Sequence, residues 1–202
     1  MSKLETNTID TISGSTNLTL GGTNATDITI PSGVTITNNG TQSGFGGTNT
    51  PAFSASMSAV QIVSDATATK VQFDTENFDT AGAYDNSSNY RFTVPSGEAG
   101  KYFIYSTITG QTDPSRLQTV NAYLYKNGSS IGYSTVDPRN AGFGYFFSCN
   151  IARVLDLSVG DYIEIFGFVD PEGSGSYTAK INNTAGSGSD TGATFGAYKI
   201  IE

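Results

Sequence analysis

Two pairs of acidic residues have the types and the spacing that could do chemistry. Asp161 and Glu164 are three residues apart, and Asp170 and Glu172 are two apart. Paired carboxylates can act as the acid and the base, or the nucleophile, of a glycoside hydrolase. Asp161, however, ends the turn pattern LSVGD, and Asp170 precedes Pro171, which is typical of the end of a strand. We therefore interpret Asp161 as a turn residue and Asp170 as the end of a strand, and we predict that the chain is not an enzyme.

Other catalytic groups are scarce in this sequence. The chain has no histidine, which excludes Ser-His-Asp and Cys-His arrangements. The one cysteine, Cys149, lies among apolar residues in FFSCNIARVL and is interpreted as a small buried hydrophobic residue. The glycine-rich stretch GSGSDTG (186–192) lacks the Lys and Ser/Thr that complete a phosphate-binding loop. We predict a surface loop there and no cofactor.

Charge and hydropathy exclude two classes of partner. The net charge is −8, and the ten Lys and Arg residues form no basic stripe, so we expect no binding to nucleic acid. No run of about 18 apolar residues is present, so we expect no membrane insertion. The first ten residues, MSKLETNTID, contain no apolar stretch of the kind found in a secretory signal. We therefore expect a protein that folds in the cytoplasm of the cell that makes it.

The elements that must position these residues are strands. Charged residues make up only 14% of the chain, whereas 12 Phe and 11 Tyr supply apolar bulk without any Trp, which favours an all-β core over charge-laced helices. Asn-Gly in KNG (126–128) is typical of a tight hairpin turn. Short strands separated by turns predict a sandwich or jelly roll. The predicted strands are 58–63, 70–73, 89–95, 101–110, 117–128, 144–157, 161–169 and 194–201, with a short one at 177–181.

Composition divides the chain near residue 50. Asp27 is the only charged residue between Asp10 and Asp65, and Phe45 is the first aromatic residue. A glycine-rich joint at 40–53, closed by Pro51, precedes the aromatic strands. We therefore predict an N-terminal segment, 1–50, and a head domain, 51–202.

Three segments of the predicted head share a pattern of aromatic residues and turns with a known family. The first contains Phe73, Asp79, Tyr84, Phe92 and Gly100-Lys101-Tyr102. The second is YLYKNG (123–128), and the third is ARVLDLSVGDYIEIF (152–166), with Gly160-Asp161, followed by TFGAYKII (194–201), with Phe195-Gly196. In this order they resemble the globular domain of complement component one, subcomponent q, which shares its jelly roll with tumour necrosis factor. The chain departs from that pattern in two longer gaps, Tyr84 to Phe92 and Phe92 to Gly100.

The resemblance implies a homotrimer. A jelly roll with spare aromatic surface can bury it around a three-fold axis, and the alternate faces of strands 101–106 and 194–201 are both candidates for the contact. Because some members of the family bind calcium, the resemblance also makes Asp170 and Glu172 weak candidate metal ligands. They have no EF-hand-like spacing, and solvated loop acids are the alternative. The collagen stalk common in the complement branch is absent, since no Gly-X-Y period occurs.

Three chains would also explain the N-terminal segment. Residues 16–40 contain three apolar–Thr–apolar triplets with too little apolar bulk for a core of their own. Three copies wound about one axis could point the apolar residues inward, in an intertwined β-stalk like those of bacteriophage fibres and spikes. A disordered linker is the alternative, although it would not require such regular triplets. The predicted stalk core consists of Leu18, Leu20, Ile28, Ile30, Val34 and Ile36.

These observations predict a non-enzymatic bacteriophage virion protein, assembled in the bacterial cytoplasm as a homotrimer. In this hypothesis it is a short fibre or spike. The N-terminal segment binds another virion protein of the tail or capsid, and the head contacts a glycan or protein of the host surface. Two alternatives remain open, namely a capsid-decorating (cement) protein that stabilises the shell and a soluble bacterial lectin-like module.

Overall fold

A computed structural model describes residues 32–33, 35, 49–113, 116–137, 139, 144–173, 177–183 and 192–200. The chain divides into two units, Met1–Phe45 and Gly46–Glu202, and all of the described strands belong to the second unit. The predicted stalk core of Leu18, Leu20, Ile28, Ile30, Val34 and Ile36 lies outside the described residues. In the first unit, residues 32–33 form a turn in which Gly33 has a φ of +85°.

The described residues form thirteen β-strands and no α-helix. The strands are β1 (Ala52–Ser56), β2 (Gln61–Val63), β3 (Thr69–Lys70), β4 (Thr75–Asp79), β5 (Tyr84–Asp85), β6 (Arg91–Thr93), β7 (Gly100–Asp113), β8 (Leu117–Lys126), β9 (Ser129–Val136), β10 (Phe146–Leu157), β11 (Tyr162–Pro171), β12 (Thr178–Ile181) and β13 (Thr194–Lys199). This confirms the prediction of an all-β head.

The strands form two sheets in which every described pairing is antiparallel. Sheet A has seven strands: β2, β12, β7, β13, β1 and β4 follow one another, and β10 also pairs with β7. Sheet B has six strands: β5, β6, β11, β8 and β9 follow one another, and β3 also pairs with β11. Apolar side chains from both sheets fill one core, as expected of two sheets packed face to face.

Aromatic rings fill one end of this core. The ring of Phe53 stacks on Tyr84 and Phe92, with centroids 4.6 and 5.1 Å apart, and Phe195 meets it edge-on at 4.9 Å. The Tyr84 hydroxyl donates a hydrogen bond to the carbonyl oxygen of Phe73 at 2.9 Å. Each ring therefore joins strands that are distant in sequence, and such pairs stabilise the core beyond simple burial.

The long predicted strands are confirmed, and several short ones were not predicted. The predictions at 101–110, 117–128, 144–157, 161–169 and 194–201 correspond to β7, β8, β10, β11 and β13, and the short strand at 177–181 corresponds to β12. The predictions at 58–63, 70–73 and 89–95 were too long, because β2, β3 and β6 contain only Gln61–Val63, Thr69–Lys70 and Arg91–Thr93. The unpredicted strands are β1, β4, β5 and β9.

Two turns and the cysteine match the sequence interpretation. Asn127 and Gly128 have φ values of +52° and +76°, as the tight turn between β8 and β9 requires. Gly160 has a φ of +83° in the turn before β11. Cys149 is buried and is not in a disulfide bond.

Candidate functional site

The outward side of sheet A carries a row of aromatic rings. Along β7, Tyr102 and Ile104 point into the core, so Phe103 and Tyr105 point outward and are half-buried. Tyr198 lies opposite Phe103 on the neighbouring strand β13, and their ring centroids are 5.4 Å apart. The sequence left open which side of this strand could contact another copy. In the structure one side packs in the core, so the side with Phe103 and Tyr105 is the one that is available.

Small residues border these rings. Ala152 and Val154 of β10 lie opposite Tyr105 and Phe103, and both are exposed. The Tyr105 ring lies over Gly196, where an added Cβ would come within 2.4 Å of the ring. We call Phe103, Tyr105, Ala152, Val154 and Tyr198 the aromatic face of sheet A.

The residues of the family pattern divide between the core and the turns. Phe73, Tyr84, Phe92, Tyr102 and Phe195 are all buried, so they stabilise the head and are not available to a ligand. Gly100 and Gly160 have positive φ values and lie at or next to strand starts, while Gly196 makes room for Tyr105 on the outward side. The pattern therefore indicates a fold more than a binding site.

Asp161 is held by three donors in the turn before β11. Its carboxylate accepts hydrogen bonds from Lys126 Nζ at 2.8 Å, Asn127 Nδ2 at 2.7 Å and the Ser158 backbone N–H at 2.9 Å. The bonds from the Lys126 and Asn127 side chains, with that of Ser158, lower the pKa of Asp161 to about 2. Asp161 therefore joins two turns at one end of the head.

The outward side of sheet B carries a second group of aromatic rings. Val120, Ala122 and Leu124 of β8 point into the core, so the residues between them point outward. Tyr123 contacts Tyr133 of β9 and Phe168 of β11, with centroids 5.1 and 6.5 Å apart. Tyr125 stacks on Phe166 at 4.0 Å. We call Tyr123, Tyr125, Tyr133, Phe166 and Phe168 the aromatic face of sheet B.

Two cations of sheet B are engaged with neighbouring side chains. Lys70 Nζ lies 2.5 Å from a carboxylate oxygen of Glu164 and 5.8 Å from the centre of the Phe166 ring. Arg91 lies 4.2 Å over the ring of Tyr162, in range of a cation–π contact. Glu164 is only 4% exposed, so Lys70 neutralises a charge that would otherwise be buried alone.

The second pair of acids lies in different surroundings. Arg116 donates a hydrogen bond to Glu172 at 3.0 Å. Burial, followed by the negative charge of Asp65, raises the pKa of Asp170. In the described part of the chain, no group of three His, Cys, Asp or Glu residues is placed to hold a metal ion. The role of Asp170 and Glu172 as metal ligands stays a prediction.

Membrane insertion was not expected from the sequence. Among the residues that the structure describes, no helix combines the length and the apolar character needed to cross a bilayer.

Sequence reasoning missed Phe53 and Asn121, and it considered Glu164 only as one of a pair of acids. Phe53 lies at the centre of the core rings but follows a glycine-rich joint, and only its alternation with Ala55 and Met57 could have indicated a strand. Glu164 is a charged residue in a buried position, and the distant Lys70 that pairs with it gives no local signal. Asn121 is 8% exposed and lies in a strand whose alternation marks it as outward.

No protein-family model and no curated protein matches this sequence. Among solved structures, murine APRIL at pH 5.0 is similar at 15% identity and a TM-score of 0.51, with 74% of this chain and 98% of that chain covered. The globular domain of zebrafish complement 1qA is similar at 15% identity and a TM-score of 0.49, over 74% of this chain and 97% of that chain. Eiger, a TNF from S. frugiperda, is similar at 13% identity and a TM-score of 0.49, over 74% of this chain and 90% of that chain. The likeness to APRIL shows the fold alone: the described strands form a jelly roll of the tumour necrosis factor type.

Proposed function

We propose that this chain is a non-enzymatic structural protein of a bacteriophage particle and acts as a homotrimer. It forms a short fibre or spike whose N-terminal segment, 1–50, binds a tail or capsid protein. The head, 51–202, points away from the particle and contacts the host surface.

The aromatic face of sheet A is the observation that supports the homotrimer in this proposal. It combines three rings with Ala152 and Val154 on a single outward surface. Burying apolar surface stabilises an assembly by about 25 cal/mol per Å², and contiguous exposed apolar patches mark sites of association. A three-fold arrangement would let each copy cover this face of the next.

The N-terminal triplets support an attachment role for the first 50 residues. Their apolar side chains are too few for one chain to bury, and three chains held together by their heads would supply the missing partners. A segment of this kind separates a head from the surface to which it is attached.

The surroundings of the acids support a role without catalysis. Asp161 is bound by Lys126 and Asn127, Glu164 by Lys70, and Glu172 by Arg116. Each of these three acids therefore has a structural partner, whereas a glycoside hydrolase needs two carboxyl groups that face one substrate.

Sedimentation equilibrium tests the trimer. The full chain should sediment at about three times its 21.1 kDa, and Tyr105→Asp should shift it to the monomer because a carboxylate would be buried without a partner. Ile62→Asp is the control, since Ile62 is 71% exposed on the edge strand β2 and lies outside the aromatic face. A native chain that sediments as a monomer would contradict the proposal.

Cryo-microscopy of the whole particle tests its location. Density for the protein at the tail or collar is the expected result. Regular density on the three-fold positions of the capsid lattice would favour the decorating role, and absence from particles would favour the lectin-like module.

A further inference from the structure

We infer that the aromatic face of sheet B binds a neutral saccharide chain. This inference deepens the proposed contact with the host surface and rests on it. It concerns a different surface from the aromatic face of sheet A, so the association of copies and the binding of a ligand need not compete.

The first argument is the arrangement of the rings. Tyr123, Tyr133 and Phe168 belong to three adjacent strands, and the ring centroids of Tyr133 and Phe168 lie 5.1 and 6.5 Å from that of Tyr123. Tyr133 is 56% exposed, so its ring can present a face to a ligand. The C–H faces of pyranose rings pack on such rings, which combine a large apolar area with a polar hydroxyl.

The second argument is the buried amide of Asn121. Asn121 lies between Val120 and Ala122, which point into the core, so its side chain points to the same outward side as Tyr123. Its Nδ2 donates a hydrogen bond to the Tyr123 hydroxyl at 3.2 Å, while its buried Oδ1 has no hydrogen-bond partner among the described residues. An unpaired buried polar atom costs about 1 to 3 kcal/mol. Because this oxygen is buried, a ligand hydroxyl can donate to it only if the side chains that cover it move aside, and that hydrogen bond would then remove the cost.

The third argument is the charge along β11. After Tyr162, the outward residues of this strand are Glu164, Phe166, Phe168 and Asp170 in that order, with a carboxyl group on each side of the two rings. Lys70 neutralises Glu164, and Asp170 lies near the negative charges of Asp65 and Asp137 and the positive charge of Arg139. The charges at this strand are therefore mixed, but the whole chain has a net charge of −8, which disfavours an anionic ligand and not a neutral one.

These three features favour a saccharide over another protein surface. An apolar partner would cover the Tyr123 hydroxyl and the Asn121 oxygen without offering them hydrogen bonds, which is costly. A neutral saccharide offers C–H groups to the rings and hydroxyls to the amide. Ligand sites commonly combine aromatic walls with a few placed polar groups in this way.

Saturation-transfer NMR of the full chain tests the inference. The probes are neutral tetrasaccharides of glucose, galactose and N-acetylglucosamine, with tetragalacturonate as the anionic comparison. At least one neutral tetrasaccharide should give a signal, and Tyr133→Ala should weaken its binding about tenfold or more. Tyr145→Ala is the matched control, because Tyr145 is 49% exposed and lies outside this face; it should leave the affinity unchanged.

Four outcomes would overturn the inference. These are no signal with any neutral probe, a signal with tetragalacturonate alone, equal losses in the Tyr133→Ala and Tyr145→Ala variants, and a change of sedimentation caused by Tyr133→Ala. The last would mean that a second copy covers the face. Because the trimer is tested by Tyr105→Asp, failure of the proposed assembly and failure of saccharide binding are separate results.

Discussion

At the scale of single residues, Asp161 makes the stability of the head depend on pH. Its pKa is lowered to about 2 by the hydrogen bonds from Lys126, Asn127 and Ser158, so folding favours its charged form. The stabilisation is fully present above the unfolded pKa of about 4 and is lost as the pH falls through about 2. Asp161→Asn should therefore lower the free energy of unfolding by about 1 to 2 kcal/mol at pH 7 and by much less near pH 2.

Urea unfolding at the two pH values measures this difference. Asp156→Asn is the control, because Asp156 is exposed on β10 five residues before Asp161. An Asp161→Asn variant whose deficit is the same at pH 7 and pH 2 would show that the charge of Asp161 is not responsible.

Glu164 is buried, so the stability of the head depends on its ion pair with Lys70. Lys70→Met keeps much of the side-chain volume but leaves the Glu164 carboxylate without the cation 2.5 Å away. We expect a loss of about 2 to 3 kcal/mol in the free energy of unfolding, since an unpaired buried charge is costly even where one partner is partly exposed. Adding Glu164→Gln should restore part of that loss. A Lys70→Met variant as stable as the native chain would contradict this account.

At the scale of elements, strand β1 stabilises the core of the head through Phe53. Its ring contacts Tyr84, Phe92 and Phe195, which connects β1 to strands of both sheets. Phe53→Ala should cost about 3 to 5 kcal/mol, measured by chemical denaturation. Phe78→Ala, on the adjacent strand β4 but half-exposed, should cost less than about 1 kcal/mol. Equal losses for the two would mean that β1 does not organise the core.

The sequence predicted the long strands because their alternation follows the two-residue period of a pleated strand. Tyr102-Phe103-Ile104-Tyr105 alternates between core and surface as expected. Strands β9 (Ser129–Val136) and β4 (Thr75–Asp79) were not predicted from the sequence, because their residues are mostly exposed and polar. Such strands are determined by the neighbours with which they pair, and that information is not local.

The candidate surfaces were less predictable than the strands. Both sides of β7 carry aromatic residues, so the side that faces outward depends on which strands lie across the core. The aromatic face of sheet B needs the register of β8, β9 and β11, which brings together Tyr123, Tyr133 and Phe168. A change of register by one residue would turn each of these rings to the other side.

At the scale of the whole molecule, the two sheets offer different outward surfaces. The face of sheet A pairs its rings with Ala152, Val154 and a glycine, and small apolar neighbours suit contact with another copy. The face of sheet B adjoins the amide of Asn121, which donates a hydrogen bond to the Tyr123 hydroxyl, and this polar group suits a polar ligand. In the proposed function, sheet A therefore contacts other copies of the chain and sheet B binds the saccharide.

The last prediction concerns the N-terminal segment, whose triplets we propose to be buried against other copies of the chain. Ile28→Asp with Ile30→Asp should loosen this segment, because two carboxylates would enter a shared core without partners. Hydrogen exchange should become faster in residues 16–40, while the thermal unfolding midpoint of the head stays the same. Thr29→Asp is the matched control, since Thr29 lies between the two isoleucines and is expected to face solvent. Equal exchange in the native chain and the double variant would exclude a shared core, and a loss of head stability would mean that the two parts of the chain do not fold independently.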